Sequence, residues 1–177
     1  FPDTYSLIPN SNAIDVAHIF ADTFFEKASS IKGFTELSDY EMNQAVRLAS
    51  IIEREYKVPD EAPLIASVFK NRLRRGIGLY SCATVEYIIT EIQGKPHPKK
   101  ITYDDLAIDS PYNTYKWAGL PPSPISNPGL TALNAAVNTP KTSYYYFQVN
   151  DPKKGTHVFT STFEEHIGNH NLVTIEK

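Results

Sequence analysis

Cysteine is almost missing: Cys82 stands alone in 177 residues, which excludes an internal disulfide and any cysteine-rich zinc site. Long apolar runs are missing too. The longest purely apolar stretch is Tyr144-Tyr145-Tyr146-Phe147, against the roughly 20 residues that a membrane-spanning helix requires. Basic residues are in no excess. Seventeen Lys and Arg face 20 Asp and Glu for a net charge of -3, so there is no broad basic surface for nucleic acid or anionic lipid. A glycine-rich phosphate loop, a GxSxG elbow and an HExxH string are all absent, which leaves nucleotide, serine acyl-transfer and zinc-protease chemistry without a motif. Neither a cofactor nor a resident metal is expected. The chain opens on Phe1-Pro2 with neither a secretory leader nor an initiating Met, and reads as part of a longer protein.

What is present suffices for a folded core. Apolar residues make up 41% of the chain and aromatics 12%, including 11 Tyr and 9 Phe, so residues 1–177 read as a single globular domain. Ser11 or Asn12 caps a helix to about Ala28. Ser38-Asp39-Tyr40-Glu41 is a capping box that opens a long helix, which the apolar periodicity carries to near Lys57. Asp60 caps a further helix over Glu61 to Arg75, stopped by Gly76. Another is expected from Ala83 to Gln93, closed by Gly94, and Thr102 to Asp105 forms a second, shorter capping box.

Regularity then stops. Asp109 to Asn127 holds Pro111, Pro121, Pro122 and Pro124 beside Asn113, Tyr115 and Trp117, and such a segment supports neither a helix nor a central strand. Irregular loops of this length inside a compact domain are usually functional. Asn127-Pro128 restarts a helix to about Val137, Tyr144–Val149 and Thr156–Thr160 form a hairpin, and a last helix covers Phe163 to His170. The expected fold class is α+β: a mainly helical domain with a small antiparallel hairpin.

Periodicity also nominates a reactive group. With Met42 at zero on a wheel of about 100° per residue, Ala45, Val46, Ala49, Ile52 and Tyr56 share an arc that takes in Glu53 at about 20°. Glu55 falls near its margin. A carboxylate aimed at an apolar face must be paired, neutralised or used, because desolvation disfavours its charge; Arg72 is one possible partner. A carboxylic acid held neutral in this way can donate a proton to a leaving oxygen and later take one back. A second carboxylate for glycoside hydrolysis is not singled out, since Glu86, Glu91, Asp104, Asp105 and Asp109 have no distinguishing spacing. His166 and His170 stand at i, i+4 but lack the flanking acid of a metal motif. Tyr112, Tyr115 and Trp117, near Asn113, offer flat faces and an amide suited to sugar rings and their N-acetyl groups.

Several strings carry a resemblance. LASIIEREY from Leu48, IASVFKNRLRRGIGL from Ile65, ATVEY from Ala83, SPYNTYKWAGLPPSPISNPG from Ser110, YYYF, GTHVFTSTFEEHIGNHN and the opening FPDTY together resemble the endolytic murein transglycosylases of the MltG, or YceG-like, family. The resemblance covers essentially the whole chain. It implies a bacterial enzyme of the inner (cytoplasmic) membrane, anchored by a single pass, whose extracytoplasmic domain cuts inside peptidoglycan glycan strands. The anchor and most of a LysM-like region would lie outside this fragment. It further implies that the catalytic glutamate is the first of the SIIERE string, Glu53, acting as general acid and base on the MurNAc-β-1,4-GlcNAc bond to leave a 1,6-anhydro-MurNAc end. Asn113 and Tyr115, and after them Thr84 and His157, are the expected substrate-binding residues, and cell-wall synthases are possible partners. Where the family commonly carries Asp-Pro-Thr-Val, this chain has Cys82-Ala83-Thr84-Val85. The alternative, from a different class, is a glycan-binding or assembly module without catalysis.

Overall fold

The computed structural model describes residues 1–173, with side chains through residue 169. Its elements are helices α1 (Ala13–Ala28), α2 (Asp39–Ile52), α3 (Ala62–Arg74), α4 (Cys82–Tyr87), α5 (Tyr103–Leu106), α6 (Leu130–Val137) and α7 (Phe163–Val173), with strands β1 (Tyr146–Asp151) and β2 (Thr156–Thr160). The mixed, mainly helical architecture expected from the sequence is the one observed. Three marked helix starts hold: Asn12 accepts from the Asp15 N–H, and both capping boxes close, Ser38 with Glu41 and Thr102 with Asp105. Asp60 does not cap α3: it lies inside a 3₁₀ turn, Pro59–Glu61, and Glu61 is the N-cap of α3 with no side-chain hydrogen bond.

The core lies where α2, α3 and α6 meet. Leu48, Ala49, Ile51 and Ile52 of α2, Ile65, Ala66 and Phe69 of α3, and Ala132, Leu133, Ala135 and Ala136 of α6 are all buried. Alanines at the crossings let the helix axes approach, while the branched and aromatic side chains fill the space between them. β1 and β2 pair antiparallel, with Phe147 opposite Phe159 and Val149 opposite His157, and a bulge before Asp151. The two-stranded sheet packs on the C-terminal half of α3, where Asn71 Nδ2 donates to the carbonyls of Thr142 and Tyr144 at 3.1 and 2.7 Å.

Several boundaries differ from expectation: α3 starts at Ala62, β1 runs Tyr146–Asp151 in place of Tyr144–Val149, and α7 runs on past His170 to Val173. The helix expected to reach Lys57 stops at Ile52, and Val58, next to Pro59, is extended (φ -100°, ψ 114°). The chain tightens before that point: the N–H groups of Arg54 and Glu55 donate three residues back, to Ile51 and Ile52, which is 3₁₀ geometry. The helix expected from Ala83 to Gln93 passes from α4 into a π-helical turn, Ile88–Ile92. The one expected from Asn127 begins at Leu130, with Gly129 as its N-cap.

Leu133 is fully buried where α6 meets α2 and α3. Leu133→Ala is expected to cost about 3 kcal/mol of stability, read as a shift in the urea midpoint at constant m-value; a shift near zero would show that this seam is not the core.

Candidate active site

Because α2 ends in a 3₁₀ turn, the two glutamates that follow point to different places. Glu53, the C-cap residue of α2, turns toward α6, where its Oε2 accepts from the Gly129 N–H at 3.0 Å and the Tyr56 hydroxyl at 3.3 Å. A carboxylate at a helix N-terminus is favourably placed against the helix dipole. The position on the wheel is thus correct for Glu53, but what it meets is a helix end.

Glu55 enters a cavity of about 600 Å³, which it lines together with Phe69, Arg72, Tyr80, Tyr115 and Tyr146. Glu53 lines neither this cavity nor the neighbouring one described below. The Ser81 hydroxyl donates to Glu55 Oε1 in a short hydrogen bond. Burial pushes the Glu55 carboxyl above its ordinary pKa, opposed by the Ser81 hydrogen bond and then by charge at His157; Glu86 pushes the same way as burial, and Arg54 opposes it. The result is an acid held toward its neutral form against aromatic walls.

The loop after α5 supplies one of those walls. Asn113 is fully buried and spends its side chain on the loop itself: Nδ2 donates to the carbonyls of Leu106 and Ile108 at 3.0 and 2.8 Å, and Oδ1 accepts from the Tyr115 N–H at 3.0 Å. Thr114 ties the same loop to the segment before α4. Its carbonyl accepts from the Tyr80 N–H, and its hydroxyl accepts from the Ser81 N–H at 3.2 Å and pairs with Thr84 Oγ1 at 3.0 Å. These bonds deliver Tyr115 to the cavity, where its ring lies 5.5 Å from that of Tyr80 and its hydroxyl is 3.1 Å from Cys82 Sγ. Burial and the contact with Cys82 raise the Tyr115 pKa well above the ordinary tyrosine range, so it stays a neutral O–H group.

Of the expected substrate contacts, Tyr115 therefore reaches the cavity that Glu55 lines, and three do not present themselves to a ligand. Asn113 is consumed in holding the loop. Thr84 is fully buried, donating to the Ser81 carbonyl at 2.7 Å. His157 turns inward: its Nδ1 lies 2.7 Å from Glu61 Oε2, and the rings of Phe147 and Phe159 enclose it. The other carboxylates go elsewhere. Asp105 caps α5, Asp109 pairs with Lys116 at 3.0 Å, and Glu86 meets Arg54 and His97 at 3.4 and 3.5 Å. Glu86 and Glu91 line a second cavity of about 430 Å³ with Arg54, Tyr87 and Asn127. Tyr112 anchors the loop through Ser123 at 2.6 Å, and Trp117 opens on a separate depression.

Arg72, which the sequence offers as an ion-pair partner for the inward carboxylate, is used differently. Its Nε donates to the Tyr145 carbonyl at 2.7 Å and its Nη1 to Gly78 and Leu79 at 3.2 and 3.0 Å. Its guanidinium lies over the rings of Tyr80 and Tyr146, at 5.3 and 5.1 Å. It serves as a rivet between α3, β1 and the segment before α4, and forms no ion pair with Glu53. His166 stacks on Tyr146 at 5.3 Å and lines the cavity, whereas the side chain of His170 lies outside the described residues. Among the described residues no cluster of His, Cys, Asp and Glu is suited to hold a metal ion.

A family profile described as YceG-like matches residues 1–171. The chain belongs to the YceG-like family. This YceG-like chain is 36% identical to the endolytic murein transglycosylase of Bacillus subtilis (strain 168) over 167 residues, which cover 94% of this chain and 44% of that protein. It is 31% identical to the endolytic murein transglycosylase of Streptococcus pneumoniae serotype 2 (strain D39) over 170 residues, 94% of this chain and 30% of the relative. The chain thus spans less than half the length of these curated relatives. The crystal structure of a yceG-like protein from Listeria monocytogenes superposes with a TM-score of 0.78 at 36% identity, covering 95% of this chain and 53% of that one.

If Asn113 organises the loop, Asn113→Ala leaves two carbonyls and one N–H without their partner in a buried place. The expected loss is about 2 kcal/mol of stability, measured by thermal melting. Hydrogen exchange should accelerate across residues 106–117, and an unchanged exchange pattern there would contradict this role.

Proposed function

We propose that this chain is the catalytic domain of an endolytic murein transglycosylase, acting on the β-1,4 bond between MurNAc and GlcNAc in peptidoglycan glycan strands. The observation that carries the reading is the Glu55 carboxyl, desolvated and held by Ser81 in an aromatic cavity of about 600 Å³. Glu55, in place of Glu53, is assigned as the acid. What supports the choice is that Glu53 is spent on the N-terminus of α6, whereas Glu55 is the residue whose proton is held by its surroundings.

The chemistry needs one carboxyl group. Neutral Glu55 gives its proton to the glycosidic oxygen as the C1–O bond breaks and positive charge develops at C1 of MurNAc. The resulting carboxylate then takes the proton of the MurNAc C6 hydroxyl, whose oxygen attacks C1 and closes a 1,6-anhydro ring. Proton and oxygen balance: the GlcNAc side leaves with a new hydroxyl, the MurNAc side with an internal ether, and Glu55 is again neutral. No other carboxylate lines the cavity among the described residues. This suits a reaction whose nucleophile belongs to the substrate, because ordinary hydrolysis uses a second carboxylate as base or nucleophile. Tyr115 faces the same space and is proposed to orient the sugar through its hydroxyl.

The reading places the domain outside the cytoplasmic membrane, on a protein whose anchor lies in another part of its sequence. Among the described residues no helix is long and apolar enough to cross a membrane. Synthases of the cell wall are proposed partners on the family resemblance alone.

Glu55→Gln should retain the fold and lose at least about 100-fold in rate on purified sacculi, with anhydro-MurNAc ends counted by mass spectrometry. Glu53→Gln keeps an acceptor for the Gly129 N–H and should lose less than about 10-fold. The reverse ranking would return the catalytic role to Glu53, and two fully active variants would favour the glycan-binding alternative.

The raised Glu55 pKa also has a consequence for stability. A carboxyl whose folded pKa exceeds its unfolded value stabilises the fold below the unfolded pKa and loses that contribution as pH rises through the folded value. The Tm of Glu55→Gln should therefore gain on wild type as pH rises from about 4. A pH-independent Tm difference would mean the acid is not desolvated.

A further inference from the structure

Tyr80 adopts a backbone conformation that a tyrosine rarely takes, with φ +54°, in the left-handed region that disfavours bulky side chains. Its surroundings bury only about half of the residue in return. Tyr80 is 49% exposed, and that exposed surface lines the cavity into which Glu55 points. The surrounding structure nevertheless holds the ring firmly. Its N–H donates to the Thr114 carbonyl at 3.3 Å, and its ring lies 5.5 Å from Tyr115 at 31° between planes, with the Arg72 guanidinium 5.3 Å from its centroid. Beneath it, Gly78 is required: a Cβ there would stand 2.6 Å from Tyr80 Cε1. A strained residue that persists only because its neighbours over-determine it marks a position where the strain serves a purpose other than packing.

The neighbours give that purpose a shape. Tyr115, Tyr80, Arg72, Tyr146 and His166 succeed one another along one wall, each flat group 5.1 to 5.5 Å from the next. The groups stack on or tilt against one another, Tyr80 at 31° to Tyr115 and Arg72 over Tyr80 and Tyr146, and the half-exposed ring of Tyr80 offers the cavity an aromatic surface suited to the C–H face of a pyranose whose hydroxyls point outward. We infer that Tyr80 is a sugar-stacking residue, held in its left-handed conformation so that its exposed ring forms the platform for a pyranose of the glycan strand beside Glu55. The inference rests on the reading of Glu55 as the acid at this cavity, and it deepens that reading by naming a residue that sets affinity for the sugar without taking part in proton transfer.

The test is built so that the two ideas fail separately. In a Glu55→Gln background, which blocks turnover, binding of a peptide-free glycan oligosaccharide is measured by calorimetry for Tyr80, Tyr80→Phe and Tyr80→Gly. Tyr80→Gly should weaken Kd about tenfold with a Tm equal to or above that of its parent, because glycine relieves the positive φ. Tyr80→Phe should bind like the parent. With Glu55 restored, Tyr80→Gly should raise KM on sacculi while leaving kcat within about twofold. An unchanged Kd for Tyr80→Gly overturns the inference. So does a fall in Tm and affinity together that Phe fails to restore, since that pattern belongs to a ring that only packs. Weakening seen only with peptide-bearing strands likewise overturns it, because the ring would then be reading the peptide. If Glu55→Gln itself remained fully active, the acid assignment would fall whatever the Tyr80 variants do.

Discussion

Withdrawal of the Glu55 carboxyl from water is the constraint on which the rest of the site depends. Burial disfavours the ionised form, so the side chain must be placed by something stronger than its own preference for solvent. The placing is done by the backbone. A tightened turn after Ile52 carries Glu55 away from the helix face that Glu53 occupies. Ser81 then meets it from the segment before α4. One hydrogen bond thereby connects two segments separated by 26 residues in sequence, and both partners line the cavity.

The polar residues of the domain divide into those that build and those that remain available. Asn113, Thr84 and Thr114 are buried, as is the His157 side chain, and each bonds to protein groups. They make the site by holding loops against helices. Arg72 does the same work with a charge, gripping three carbonyls of two segments while its face supports Tyr80 and Tyr146. The cavity is lined by one carboxyl group, the Cys82 thiol, hydroxyls of serine and tyrosine, and a set of flat rings, with the Arg72 guanidinium among them. That inventory is what a sugar polymer asks of a binding wall, with directional polar groups few and apolar planes many.

The two glutamates show how far helical periodicity can be trusted. On the wheel, Glu53 is correctly assigned to the inner face, because the helix runs that far. The same 100° step puts Glu55 at the margin only if the helix continues past Ile52, and it does not. The irregular loop was recognised from its prolines, yet which of its residues would face a ligand was not. Asn113 and Tyr115 are two positions apart and look equally exposed in sequence; one is fully buried and the other lines the cavity.

By itself the sequence determined the helix starts, the hairpin, the unstructured proline segment, the mixed fold class and membership of the family, because capping residues, turn residues and apolar spacing act within a few positions of one another. Only the tertiary structure decided which carboxyl is desolvated, which aromatic rings form a wall and why Tyr80 bears a strained backbone. Those outcomes depend on contacts between α2, the segment before α4, the loop after α5 and β1. Desolvation and stacking are properties of a place in space, and residues far apart in the chain meet there only once the core has folded.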